Sequence, residues 1–199
     1  MTAPDIRTRL LAALARPGRP TSDFDLNPAL APDATGLRPA GVLVAIEETA
    51  QGPVVWLTKR ASHLKHHPGQ IAFAGGKVDP CDTGPVAAAL REAQEEIGLD
   101  PASVEVLGQA EPHQTVTGFA VTPVYGLIRG PFRPLPEAGE VDEAFAVPLS
   151  HLGNPANYRI EGRIWRGQKR LYYTVPHGPY YIWGATARIL RAMADRLTQ

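Results

Sequence analysis

The chain has 199 residues, 20 Lys and Arg against 20 Asp and Glu, and 44% hydrophobic residues, values that suit one globular domain with a sizeable core. A zero charge balance argues against a broad electrostatic commitment to nucleic acid or an anionic membrane, so a small molecule is the expected partner. No run approaches the length of a membrane span, Cys81 is the only cysteine, and Arg7, Arg9 and Arg16 interrupt the N-terminal apolar stretch, so a cytoplasmic location is expected.

In chain order, Ile6, Leu10, Leu11 and Leu14 have helical spacing. The Pro-rich stretch from Pro17 to Pro39 then reads as an extended surface segment, so residues 1–39 are expected to be an extension and 40–199 the main domain. Gly41 to Ile46 and Val54 to Thr58 read as paired strands around a Gln51-Gly52-Pro53 turn. A Gly-rich loop holding Gly75 and Gly76 precedes a helix that Pro85 opens and Gly98 ends. Val104 to Gln109, Val121 to Ile128 and Val141 to Val147 are further strands. Tyr158 to Val175 reads as a hairpin around Arg166-Gly167-Gln168, and a last helix starts near Gly184.

The helix beginning at Pro85 carries the chemistry. Its Glu92, Glu95 and Glu96 are related by i, i+3 and i, i+4 steps and share one side of the cylinder. Like charges so placed repel by roughly 0.2–0.5 kcal/mol per pair, more where the face is half-buried. From Arg91 to Asp100 one Arg meets four acids in a chain whose total charge is zero, so the negative charge is local. An acidic run alone is commonly a solvated face. Here it follows Gly75-Gly76, whose backbone N–H groups can approach an anion closely, and Lys77, which adds a positive charge. All-oxygen ligands suit Mg²⁺ or Mn²⁺.

Arg91-Glu92-Ala93-Gln94-Glu95-Glu96-Ile97-Gly98-Leu99 resembles the second half of the Nudix hydrolase box at every specified position. The first half departs from the general box: counted from Gly76, the expected glutamate is Asp82, and the interval to Arg91 is one residue longer. That longer spacing, with Asp79 and Asp82, resembles the bacterial coenzyme A diphosphatase branch. Leu57-Thr58-Lys59-Arg60-Ala61, Gly69 and Phe73-Ala74-Gly75-Gly76 resemble its upstream signature, with Lys65 and Ala74 where the branch has Arg and Pro. The likeness continues through Thr115-Val116-Thr117 and Val121-Thr122-Pro123-Val124 to the run from Tyr181 to Ala187.

The resemblance implies a Nudix-type α/β/α sandwich with a mixed β-sheet. It also implies metal-dependent hydrolysis of the diphosphate of coenzyme A to 3′,5′-ADP and 4′-phosphopantetheine. Glu92 and Glu96 are then the principal Mg²⁺ or Mn²⁺ ligands and Glu95 a further ligand or water-holding catalytic carboxylate. Arg91 is expected to orient Glu95, while Lys59, Arg60, Gly75 and Gly76 hold the phosphates. Among Glu140, Asp142 and Glu143, expected in a polar segment before a strand, Glu143 is the expected general base. The box alone also permits ADP-ribose, NADH or a nucleoside triphosphate, and only the segment from Leu57 to Gly76 narrows it. A silent nucleotide-binding module has no need to keep three mutually repelling acids. His63, His66 and His67 lack the spacing of a zinc site and read as a loop or substrate edge. Tyr172, Tyr173, Tyr180, Tyr181 and Trp183 alternate as strand aromatics do, which favours packing over stacking on adenine. A homodimer is compatible with all of this.

Overall fold

A computed structural model describes residues 5–32, 36–65, 67–165 and 167–198. The expected turn residue Arg166 and the cluster member His66 lie outside these. The helices are α1 (Ile6–Ala15), α2 (Pro85–Ile97), α3 (Leu149–Leu152) and α4 (Gly184–Thr198). The strands are β1 (Thr21–Ser22), β2 (Arg38–Thr49), β3 (Gly52–Arg60), β4 (Ile71–Ala72), β5 (Ala74–Lys77), β6 (Val104–Gln109), β7 (His113–Gln114), β8 (Phe119–Ile128), β9 (Val141–Pro148), β10 (Arg159–Trp165) and β11 (Gln168–Thr174).

The long strand β2 organises the fold. It runs parallel to β8 on one side and antiparallel to β3 and β5 on the other; β9 extends β3, while β6 and β7 pair with β8. Its side chains alternate between two cores, as the period of a strand requires. Val44 and Ile46 join Ile6 and Leu10 of α1 and Leu190 and Met193 of α4, while Leu43 and Ala45 pack on Ala89, Ala93 and Ile97 of α2. Helices on both faces of a mixed sheet make the expected α/β/α sandwich.

Two features differ from the sequence reading. Parts of the expected extension pack into the sandwich: Leu10 and Phe24 are buried, β1 pairs with β7, and the boundary expected at residue 40 falls inside β2. Gly75 and Gly76, expected in a loop, form strand β5 opposite Val42 and Gly41. Glycine suits that strand because a Cβ on Gly75 would lie 2.4 Å from the Gly41 carbonyl oxygen, and one on Gly76 would lie 2.3 Å from Oε1 of Glu92. No helix among the described residues is long and apolar enough to cross a membrane.

Candidate active site

Helix α2 brings the acids to the sheet. Pro85 occupies its first turn and Gly98 closes it in the left-handed region (φ 70°), as the sequence suggested. Ala89, Ala93 and Ile97 face the second core at i, i+4 intervals, which sets Glu92 and Glu96 along the edge of that buried stripe. The three glutamates consequently differ. The side chain of Glu96 is 5% exposed, that of Glu92 15% and that of Glu95 60%.

Glu96 accepts the Gly75 N–H at 3.2 Å and lies 4.0 Å from the Arg60 guanidinium. The Gly75 amide, expected to meet a substrate anion, thus serves the Glu96 carboxylate. Burial pushes the Glu96 carboxyl up to about 7; the charges of Glu92 and Glu140 add to the rise, and the Gly75 amide and Arg60 oppose it. Glu92 is also raised, first by burial, against the pull of Arg91.

Arg91 reaches further than its expected partner. It makes two bonds to Asp82 (3.2 and 3.0 Å), donates to Glu92 at 2.9 Å, Glu95 at 3.1 Å and the Lys77 carbonyl at 3.3 Å. The fork on Asp82 holds that carboxyl below its usual range. Asp82 in turn caps the Asp79 N–H at 2.8 Å, and Lys77 pairs with Asp79 at 3.0 Å. The loop between β5 and α2 is therefore tied to the acidic helix through one guanidinium.

Of the acids ahead of and within β9, Glu140 accepts the Ala61 N–H on its carbonyl at 2.9 Å, and its charge adds a small part to the rise of both Glu92 and Glu96. Glu143 lies in β9 opposite Lys59, and its carboxylate accepts the Tyr180 hydroxyl at 2.5 Å while Tyr180 stacks on Phe145 at 3.5 Å. Asp142 accepts from Ser62. Lys59 acts on Asp142, whereas Arg60 turns into the site.

Arg60 and Gly75 also line a cleft of about 360 Å³. Its other walls include His67, which adopts positive φ (54°), the Thr115 to Thr117 turn, Tyr172 and Trp183, and Arg163 and Arg170 from the β10–β11 hairpin. Of the five aromatics singled out in the sequence, Tyr172 and Trp183 face this cleft, with ring centroids 5.3 Å apart. Tyr173 and Tyr180 pack against the core, and Tyr181 donates to Glu161. Sequence reasoning did not find the hairpin arginines, whose signal is their opposition in register. A larger pocket of about 560 Å³, between Pro17 to Thr21 and α4, includes none of the acids of α2.

The donor set fits a hard divalent cation. Buried, mutually repelling carboxylate oxygens call for positive charge, and such a cation keeps waters and substrate oxygens as its remaining ligands. Among the described residues no three His, Cys, Asp or Glu side chains are gathered closely enough to cage a metal.

Residues 37–165 match the NUDIX domain family. A protein of Enterobacter sp. (strain 638) named "Uncharacterized Nudix hydrolase NudL" is 40% identical over 169 residues, 85% of this chain and 88% of that protein. The protein of the same name from Salmonella newport (strain SL254) matches with the same identity and coverage. The solved structure of RenU, a Nudix hydrolase from M. Smegmatis, superposes with a TM-score of 0.51 at 25% identity, covering 58% of this chain and 73% of that one. A MutT/nudix family protein from Enterococcus faecalis shares the fold with a TM-score of 0.51 at 18% identity, over 84% of this chain and 64% of that one. Nudix hydrolases generally use divalent metal ions, in keeping with the carboxylates of α2. With its acidic helix, its glycine strand and these relatives, the chain belongs to the Nudix family and is a Nudix hydrolase.

Proposed function

We propose that this enzyme hydrolyses the diphosphate bond of coenzyme A or its derivatives, releasing 3′,5′-ADP and 4′-phosphopantetheine. One observation carries the reading: Arg60 stands 4.0 Å from Glu96 and also lines the 360 Å³ cleft, so the acids of α2 adjoin a space with aromatic walls and further guanidiniums. The likeness of Leu57 to Gly76 to the coenzyme A diphosphatase branch supports the same substrate.

Glu92 and Glu96 would hold Mg²⁺ or Mn²⁺, with Glu95 as an additional carboxylate. When bound, such a cation polarises phosphoryl oxygens and lowers the pKa of a bound water. Arg60 grips the diphosphate with its planar fork. Arg91 keeps Glu92 and Glu95 aimed by drawing on both while anchored to Asp82. Glu140, the acid that acts on the glutamate pair, replaces Glu143 in our reading as the base taking the proton of the attacking water. Water adds to one phosphorus, the bridging P–O bond breaks, and each product keeps one phosphate of the diphosphate, the nucleotide also retaining its 3′-phosphate.

The test is turnover of coenzyme A, ADP-ribose and NADH with Mg²⁺, followed by chromatography, with Glu96→Gln as control. Release of 3′,5′-ADP at much the highest kcat/KM, lost in the control, is the expected result. Preference for ADP-ribose or NADH would refute the substrate and keep the hydrolase.

A further inference from the structure

Strand β10 belongs to a two-stranded sheet apart from the main one, with β11 as its neighbour. The outer edge of β11 is capped: the Asn27 side chain donates to the Leu171 carbonyl at 2.8 Å and accepts the Leu171 N–H at 2.9 Å. Among the described residues β10 has no counterpart to Asn27 along its own outer edge. A bare edge is a template for another strand, and proteins ordinarily blunt it with proline, lysine or a very short strand. The seven residues of β10 include no proline or lysine, and they expose Ile160 at 53% and Ile164 at 78%.

The order of residues in β10 is complementary to itself. Laid antiparallel to a second copy and centred on Gly162, every position from 159 to 165 meets a partner, with Ile160 opposite Ile164 and Glu161 opposite Arg163. Strand alternation puts the isoleucines on one face and the opposite charges on the other. A slip of one residue sets Ile160 against Arg163 or Ile164 against Glu161, so the matched register is singled out. Neutral groups position both charges: Glu161 accepts the Tyr181 and Thr174 hydroxyls at 2.7 and 3.3 Å, and the Arg163 guanidinium lies 4.4 Å from the Trp183 centroid.

We propose that β10 pairs with β10 of a second copy of this chain, antiparallel about a two-fold axis at Gly162, making one four-stranded sheet from two hairpins. A two-stranded hairpin is marginal in water, and the pairing gives β10 a neighbour on both edges. The axis stands perpendicular to the sheet, so the faces carrying Arg163 and Tyr172, which line the cleft, lie on the same side in both copies. Glu161 of the partner subunit then reaches Arg163 on the wall of the cleft. The pairing is independent of which diphosphate the enzyme hydrolyses.

The experiment is sedimentation equilibrium of the full chain. Wild type is expected to reach twice the mass of one chain within roughly 1–100 μM. Ile164→Lys, Glu161→Arg and Arg163→Glu, each checked for an unaltered melting curve, should raise the dimer dissociation constant by about 10-fold or more, because every substitution acts twice across the axis. An equimolar mixture of Glu161→Arg and Arg163→Glu should dimerise more tightly than either alone, since the mixed pair restores opposite charges at both contacts. Arg163 and Ile164 are exposed, so these two variants decide the matter should Glu161→Arg fail to fold. A wild type that stays monomeric over the whole range overturns the proposal. So does a dimer that Ile164→Lys and Arg163→Glu leave intact, or a mixture no tighter than its components.

Discussion

Replacing Glu96 by Gln should stabilise the metal-free protein while abolishing its activity. The side chain is almost wholly buried, and burial first, then Glu92 and Glu140, pushes its carboxyl up to about 7 from an ordinary 4.5. The sign follows from proton counting. Below about pH 4.5 both folded and unfolded chains hold the proton; between 4.5 and 7 the unfolded chain releases it while the folded one keeps it. Stability therefore falls through that window as pH rises, and the loss is complete above 7. At about 1.36 kcal/mol per pH unit, ionised Glu96 costs roughly 2–3 kcal/mol at pH 8 once some relaxation is allowed. Glutamine retains an oxygen for the Gly75 N–H and carries no charge. For a chain of this size the gain corresponds to roughly 5–10 °C in Tm. The assay is thermal melting of both proteins in EDTA at pH 5 and pH 8. Expected are near-equal melts at pH 5, the variant ahead at pH 8, and a gap that Mg²⁺ narrows by stabilising wild type alone. A variant no more stable than wild type at pH 8 would refute the reasoning.

Four further outcomes are expected. Glu140→Gln should cut kcat by roughly 10²-fold or more, whereas Glu143→Gln, which keeps an acceptor for Tyr180, should cost far less; steady-state kinetics with the cation saturating separates them, and the reverse order would restore Glu143 as the base. Arg91→Lys loses the fork on Asp82 and should weaken cation affinity by about 10- to 100-fold, as read by Mg²⁺ titration of activity. Gly76→Ala places a methyl on the Glu92 carboxylate and should lower kcat/KM on the order of 10²-fold with little change in circular dichroism. Leu10→Ala should cost about 2–5 kcal/mol in urea unfolding, because α1 belongs to the main core; a change below about 0.5 kcal/mol would return it to the status of an appendage.

The acidic helix of the candidate site was legible because α2 is punctuated at both ends and its acids violate ordinary helix economy. A row of glutamates at i, i+3 and i, i+4 is visible in one dimension. Several other features depend on distant partners. Gly75 and Gly76 read as a loop because glycine favours turns, and only the passage of β2 and Glu92 alongside explains why a strand uses them. The two-residue strands β1 and β7 carry no periodicity; their pairing goes with buried His113, which bonds Thr21 at 2.9 Å across 92 positions. Glu140 and Glu143 are indistinguishable by type, and what separates them is Tyr180, a residue 37 positions from Glu143 that claims its carboxylate. The arginines of the hairpin gain meaning only through register and the closure of the cleft by α4 and Trp183.

The alanines of α2 set how near that helix can come to the sheet. Because Ala88, Ala89 and Ala93 contribute almost no thickness, the helix rests low on β2, and Glu92 and Glu96 are held at the depth of the glycine strand instead of standing above it. Spacing between two layers thus acts as a focusing screw for the chemistry. One added methyl on the hidden side of the helix would lift all three glutamates together, so catalytic tuning in this architecture is open to residues that never meet the substrate.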